Sequence, residues 1–315
     1  MFELKPNFWD LKKPNLKSYI FQPLTLPIRL SNFFSDIKLK YKTKKIVTIC
    51  IGNIYLGGTG KTPTTIKLFK ILNKIYKKRV FTAKKFYKSQ LDEASILKKE
   101  TNYLTSNNRV KILNLALKKR AKILIFDDGL QDKNIDYDLK FVCFDSNSWI
   151  GNGQLIPSGP LRENLNSLKK YDLVFLKYIN KKNLKIMRLI KKINPKIKVF
   201  HTKYNIKNLS NFNLKKQYIV FSGIGNPNSF KQILEFNKFK VIKNIIFPDH
   251  YNYKKEDILR IINKSKELKA NIITTEKDFA KIPKSYNKNI KFIKIDLKIG
   301  KNNHFIKFLK KKIYE

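Results

Sequence analysis

The chain has 315 residues, 42% of them hydrophobic and 13% aromatic, which suffices for one large α/β domain or two smaller ones and excludes a globally disordered chain. With 68 Lys and Arg against 23 Asp and Glu, the formal net charge is +45. Such a surface attracts polyanions: nucleotides, nucleic acid or anionic lipid headgroups. No run of 18 apolar residues occurs, which excludes a membrane-spanning helix by length, and no secretory signal is expected.

Residues 1–44 read as a leader in which Phe8, Trp9, Tyr19, Ile20, Phe21, Phe33 and Phe34 are interleaved with Lys and Pro. A helix is expected from about Pro27 to Lys42, with an apolar face that suits either a membrane interface or the protein's own core. Lys45–Ile51 (KIVTICI) is a buried strand, followed by a glycine-rich turn and a helix from Lys61 to about Tyr76. Val80–Ala83 is a second strand, residues 89–119 are mostly helical, and Ile123–Phe126, Leu139–Phe144 and Leu173–Leu176 are further strands. Strands alternating with helices imply crossover units and a parallel sheet. A second cycle follows a polar stretch near 205–216, with strands at Tyr218–Ser222, Val241–Phe247, Ile272–Thr274 and Ile290–Ile295 and helices at Ser229–Phe236 and Lys254–Leu268. The expected division is therefore a leader (1–44), a core domain (45–210) and a smaller α/β lobe (211–315). Cys50 and Cys143 fall in apolar strands and read as small core residues of a reducing compartment.

The sharpest motif is Gly57-Gly58-Thr59-Gly60-Lys61-Thr62, set between a buried strand and a helix. Glycines let the backbone curl so that successive N–H groups point at phosphate oxygens, and the helix N-terminus adds its positive end. Lys61 would bridge the outer phosphates of a nucleotide and the Thr62 hydroxyl would ligate Mg²⁺. The strict pattern G-x-x-x-x-G-K-[ST] would place its first glycine where Tyr55 stands, so the expected nucleotide loop runs through Tyr55, Leu56, Gly57, Gly58, Thr59, Gly60, Lys61 and Thr62. Asp127 and Asp128 end a hydrophobic strand, where a P-loop protein carries the carboxylate that holds Mg²⁺. Residue types do not say which of the two touches the metal.

A kinase also needs a group that orients or deprotonates its acceptor. The chain has three histidines. His201 and His304 lie among Lys and Asn, whereas His250 follows a strand in Phe247-Pro248-Asp249-His250-Tyr251.

Together these pieces resemble the tetraacyldisaccharide 4′-kinases of lipid A biosynthesis. The resemblance rests on Pro6-Asn7-Phe8-Trp9, Gly52-Asn53 running into the loop above with Pro63, Asp127-Asp128-Gly129-Leu130-Gln131, Gly159-Pro160-Leu161-Arg162-Glu163, Pro248-Asp249-His250-Tyr251 and Thr275-Glu276-Lys277-Asp278. It implies a two-lobed P-loop kinase that transfers the γ-phosphate of ATP, with Mg²⁺, to the 4′-hydroxyl of a tetraacylated disaccharide 1-phosphate. It also implies an N-terminal helix at the cytoplasmic face of the inner membrane and an Asp–His pair at the acceptor. Here that pair would be Asp92, in Gln90-Leu91-Asp92-Glu93-Ala94, and His250. The family's flanking Gly and Pro are absent around Asp92. Lys84 and Lys85 stand where the family has an arginine, and Asp132 where it has a histidine. Arg162, which can grip phosphate bidentately, and Gln131 are the expected substrate contacts. The expected partners are the acylated disaccharide and an anionic membrane surface, with no nucleic acid and a monomer favoured.

Two other classes fit a phosphate loop on a basic chain: a P-loop NTPase that binds nucleic acid, and a membrane-associated NTPase switch with no acceptor. Lysine dominates arginine, and no zinc-finger, RNP or KH signature is present, which weighs against the first.

Overall fold

Strand β1 (Val47–Gly52) is rich in β-branched residues and buried from Thr48 onward, as suits a central strand of a parallel sheet. A computed structural model describes residues 5–37, 40–132 and 134–314 of the chain. In it β1 lies between β4 (Ile123–Asp127) and β5 (Leu139–Asp145), pairing with both in parallel. The sheet extends on one side through β2 (Val80–Lys85) to β3 (Tyr103–Ser106). On the other it runs through β6 (Leu173–Lys177) and β7 (Lys198–Ile206) to β12 (Ile295–Ile299). The order is β12-β7-β6-β5-β1-β4-β2-β3, and only β12 runs antiparallel to its neighbour.

Helices cover both faces. On one, α3 (Lys61–Tyr76) and α10 (Asn302–Tyr314) place Leu68, Leu72, Phe305 and Leu309 over Ile49, Ile51, Phe141 and Phe175. On the other, α5 (Arg109–Lys118) sets Ile112, Leu113 and Ala116 against Cys50 and Phe126. There α6 (Leu184–Ile193) packs Ile186 and Ile190 on Val142 and Val174. Both cysteines are free and buried. Burial pushes the Cys143 thiol up to about 12, which leaves it inert at neutral pH.

A second, all-parallel sheet has the order β11-β10-β8-β9, built from β8 (Gln217–Ser222), β9 (Lys240–Ile246), β10 (Asn271–Thr275) and β11 (Ile290–Ile293). Its alternating faces meet α7 (Pro227–Phe236) through Phe230 and Leu234 and α8 (Lys255–Glu267) through Ile258, Ile261 and Ile262. The expected C-terminal lobe 211–315 is thus shorter than its boundary. After β11 the chain leaves this sheet, and β12 and α10 return to the first one. The expected strand Ile290–Ile295 is split between the two sheets.

The leader forms α1 (Leu16–Ile20) and α2 (Leu26–Ile37). The expected helix of 27–42 ends at Ile37 among the described residues, and positions 38 and 39 lie outside them. The leader's inner side is tied to the 150–162 loop. Trp9 Nε1 donates to the Pro157 carbonyl at 2.9 Å, Asn152 Nδ2 to Ser18 Oγ at 2.8 Å and Asn32 Nδ2 to the Arg162 carbonyl at 3.0 Å. Its outer side leaves Leu16, Ile20, Leu24, Leu26, Phe33 and Phe34 exposed. No helix of the described residues is long and apolar enough to cross a membrane.

Candidate active site

The turn after β1 sits at the carboxyl end of the central strand, where strand order reverses and open α/β sheets bind ligands. Gly60 caps α3 with φ of 88°, a left-handed conformation that suits glycine, and a Cβ there would meet the Tyr204 hydroxyl at 2.6 Å. Asn53, fully buried, donates its side-chain amide to the carbonyls of Tyr55 and Gly57 and so ties the start of the loop together.

Two expected loop contacts need correction. The Tyr55 side chain is buried against Leu155 and Leu161, with its hydroxyl donating to Asp10 at 3.0 Å. The Leu56 N–H donates to the Pro160 carbonyl at 2.7 Å. Both residues therefore anchor the loop to the 150–162 segment, and the phosphate-facing portion begins at Gly57. Within it the Thr59 hydroxyl is buried with no partner among the described residues. A buried orphan hydroxyl beside Lys61 suits the oxygens of a nucleotide.

Asp127 and Asp128 divide their work. Asp127, fully buried, accepts hydrogen bonds from Thr62 Oγ1 at 2.9 Å, Thr65 Oγ1 at 3.2 Å and Lys84 Nζ at 3.2 Å. Asp128 turns away with φ of 60°. Its carboxylate lies 3.6 Å from Lys61 Nζ and 3.0 Å from an Arg162 Nη. Burial opposes its ionisation, but the charges of Lys61, Arg162 and Lys84 prevail and hold its carboxyl well below the usual carboxylate range. Arg109, missed by sequence reasoning, donates to the Asp128 carbonyl and to Asp132 at 2.8 Å, and so buttresses this strained turn.

The Thr62 hydroxyl and the Asp127 carboxylate form a buried pair of hard oxygens. That fits Mg²⁺, which keeps waters and phosphate oxygens for the rest of its shell. Among the described residues no group of three His, Cys, Asp or Glu forms a fuller cage.

Gln131 does not present a free amide to a substrate. Its Nε2 donates to the Asn53 carbonyl at 3.0 Å and to Glu163 at 2.7 Å, and its Oε1 accepts from Arg162 at 3.3 Å. It joins the loop to Arg162. Glu163, buried, also accepts from Tyr171 at 2.8 Å, so Arg162 pairs with Asp128 and leaves Glu163 to the interior.

The second sheet supplies the rest. The turn after β8 lies on the phosphate loop, so that a Cβ on Gly225 would meet Gly58 N at 2.7 Å. The turn after β9 carries His250, whose Nδ1 lies 2.9 and 3.1 Å from the two oxygens of Asp92. Asp92 is in the first turn of α4 (Leu91–Glu100) on the first lobe. Lys277 and Lys281, in and just after α9 (Glu276–Phe279), reach Asp92 Oδ2 at 3.2 and 3.1 Å. Burial would raise the Asp92 pKa. The hydrogen bond from His250 and the charge of Lys277, with Lys281 behind them, outweigh it and hold the carboxyl well below its usual range.

A family model described as tetraacyldisaccharide-1-P 4′-kinase (LpxK) matches residues 18–314. A tetraacyldisaccharide 4′-kinase of Pelagibacter ubique is 44% identical over 296 residues, covering 94% of each chain. One of Rickettsia akari is 33% identical, covering 99% of this chain and 97% of its own. Among solved structures, LpxK from Aquifex aeolicus in complex with ATP matches with a TM-score of 0.65 at 24% identity, over 94% of this chain and 97% of that one. At that identity the likeness speaks for the fold.

Proposed function

The chain belongs to the tetraacyldisaccharide-1-P 4′-kinase family, and from that premise we propose how its residues carry the reaction. It is an ATP-dependent lipid kinase that transfers the γ-phosphate of ATP to the 4′-hydroxyl of a tetraacyldisaccharide 1-phosphate. The loop Gly57–Thr62 and the Lys61 ammonium hold the triphosphate. Thr62 and Asp127, the carboxylate in contact with it, hold Mg²⁺, which when bound neutralises charge on the transferring group. Asp128 keeps Lys61 and Arg162 poised and releases them to phosphate oxygens.

Asp92 orients the sugar hydroxyl. Phosphoryl transfer passes through a loose transition state, so the hydroxyl keeps its proton until late and needs positioning more than a strong base. A carboxylate of depressed basicity, fixed by His250 Nδ1, suits that task, and the pair receives the proton as a unit. The observation that carries this reading is the 2.9 Å contact between Asp92 and His250 from opposite lobes.

The exposed apolar outer face of the leader would rest on an anionic bilayer, with the basic surface adding attraction. On this reading the enzyme works as a peripheral protein at the cytoplasmic face of the inner membrane. Mass spectrometry of a tetraacyldisaccharide 1-phosphate incubated with MgATP and enzyme tests the function: one phosphoryl group gained at the 4′ position supports it, and ATP hydrolysis with an unchanged lipid contradicts it.

A further inference from the structure

Between the metal corner and the Asp92–His250 pair runs a line of alternating charges. Lys84, 2% exposed, donates to Asp127 at 3.2 Å and to Glu93. Glu93 Oε1 lies 3.6 Å from Lys277 Nζ, which lies 3.2 Å from Asp92 Oδ2 and 3.6 Å from Asp249. Lys277 is thus the cation on which three carboxylates converge, and it comes from the lobe opposite to Asp92 and Glu93.

Its own position is fixed from behind. Thr275 Oγ1 donates to Asp278 Oδ2 at 2.6 Å and accepts from the Asp278 N–H at 3.1 Å, and Asp278 Oδ1 accepts from the Gly223 N–H at 3.1 Å. The turn that aims Lys277 therefore also holds the loop that lies on the phosphate loop. Burial disfavours the ammonium, but Glu93, Asp249 and Asp92 more than offset it and raise its pKa, so it stays charged. Without it, neighbouring carboxylates on the first turn of α4 would repel each other, and Asp92 would lose one of the charges that keep it facing His250.

We propose that Lys277 is a positioning residue for phosphoryl transfer: it sets the Asp92 carboxylate against His250 and, through Glu93 and Lys84, ties it to the Asp127 carboxylate at the metal corner. The proposal rests on the kinase reading above. A group that acts chiefly by orienting Asp92 changes the chemical step more than nucleotide binding, and most of its effect is lost once Asp92 is gone.

The test is steady-state kinetics with MgATP and tetraacyldisaccharide 1-phosphate for the wild type, Lys277→Gln, Lys277→Arg, Asp92→Asn and the Asp92→Asn/Lys277→Gln double variant. Lys277→Gln should lower kcat roughly 30-fold with KM for MgATP within about threefold, and Lys277→Arg should recover most of the loss. The double variant should be no more than about twofold slower than Asp92→Asn alone. A kcat for Lys277→Gln within about threefold of wild type, or losses that multiply in the double variant, would overturn the proposal. Glu93→Gln breaks the same line at nearly unchanged shape and carries the same expectations should Lys277→Gln fail to fold. An inactive wild type would instead strike the kinase reading itself.

Discussion

His250 Nδ1 lies 2.9 Å from Asp92 Oδ1, although the two residues are 158 positions apart, one in helix α4 beside the first sheet and the other in the turn after β9 of the second. The contact exists because the two sheets present the carboxyl ends of their parallel strands to each other. One end carries the phosphate loop, Asp127 and the start of α4, and the other carries the turns with Gly225, His250 and Lys277. On the proposed mechanism the reaction centre is a property of the assembled pair of lobes.

The division of labour between the adjacent aspartates predicts different phenotypes. Asp127→Asn leaves Thr62 as the sole expected protein ligand, so the Mg²⁺ concentration for half-maximal activity should rise about tenfold or more, with kcat reduced roughly 100-fold. Asp128→Asn should lower kcat to a similar degree with the Mg²⁺ midpoint within about twofold of wild type. Magnesium titrations of activity decide it, and equal shifts in both variants would refute the assignment.

Much of this site was legible in the chain. Lys61 and Thr62 after a buried strand, and two aspartates ending another, carry their chemistry in local pattern. The Asp92–His250 pair was not readable from spacing, since nothing local links a helix of one lobe to a turn of the other; it came from family resemblance. Lys277 stood in the Thr275–Asp278 motif without a role, and Lys281 and Arg109 were hidden because 68 basic residues leave individual cations unmarked. For Lys277 and Arg109 the signal was position, just past a strand end and opening a helix. Strand β3 was read as helix because YLTS is short, polar and at the sheet edge. The return of β12 to the first sheet was missed because one unbroken stretch of alternating apolar and charged residues, Ile290–Ile299, serves two sheets.

The leader has two faces with separable roles. Phe33→Asp together with Phe34→Asp removes two exposed aromatics from the outer face. Partitioning onto vesicles containing anionic phospholipid should fall at least about tenfold, since each buried apolar side chain contributes about 1.5–3 kcal/mol. Activity on detergent-dispersed lipid should stay within about threefold. Unchanged sedimentation with vesicles would contradict a membrane role for this face.

The ionised state of the site predicts acid sensitivity. Asp92, Glu93 and Asp128 are all held below their ordinary pKa by neighbouring cations, against the opposing effect of burial. A depressed carboxylate contributes stability that is complete above its unfolded pKa and is lost as pH falls toward its folded value. Urea midpoints should therefore be nearly flat from pH 7 to about 5 and drop as pH passes through about 4. The drop should be shallower in Asp128→Asn, and an equal acid slope in both proteins would exclude this carboxylate as a source.

The most direct test of the two-lobed dyad is a rapid-quench single turnover of γ-labelled MgATP with excess enzyme and tetraacyldisaccharide 1-phosphate, comparing wild type with Asp92→Asn and His250→Ala. Phosphoryl transfer should slow about 100-fold or more in Asp92→Asn and by a smaller factor in His250→Ala, with MgATP affinity within about threefold of wild type in both. Transfer at the wild-type rate in Asp92→Asn would contradict the account at its centre.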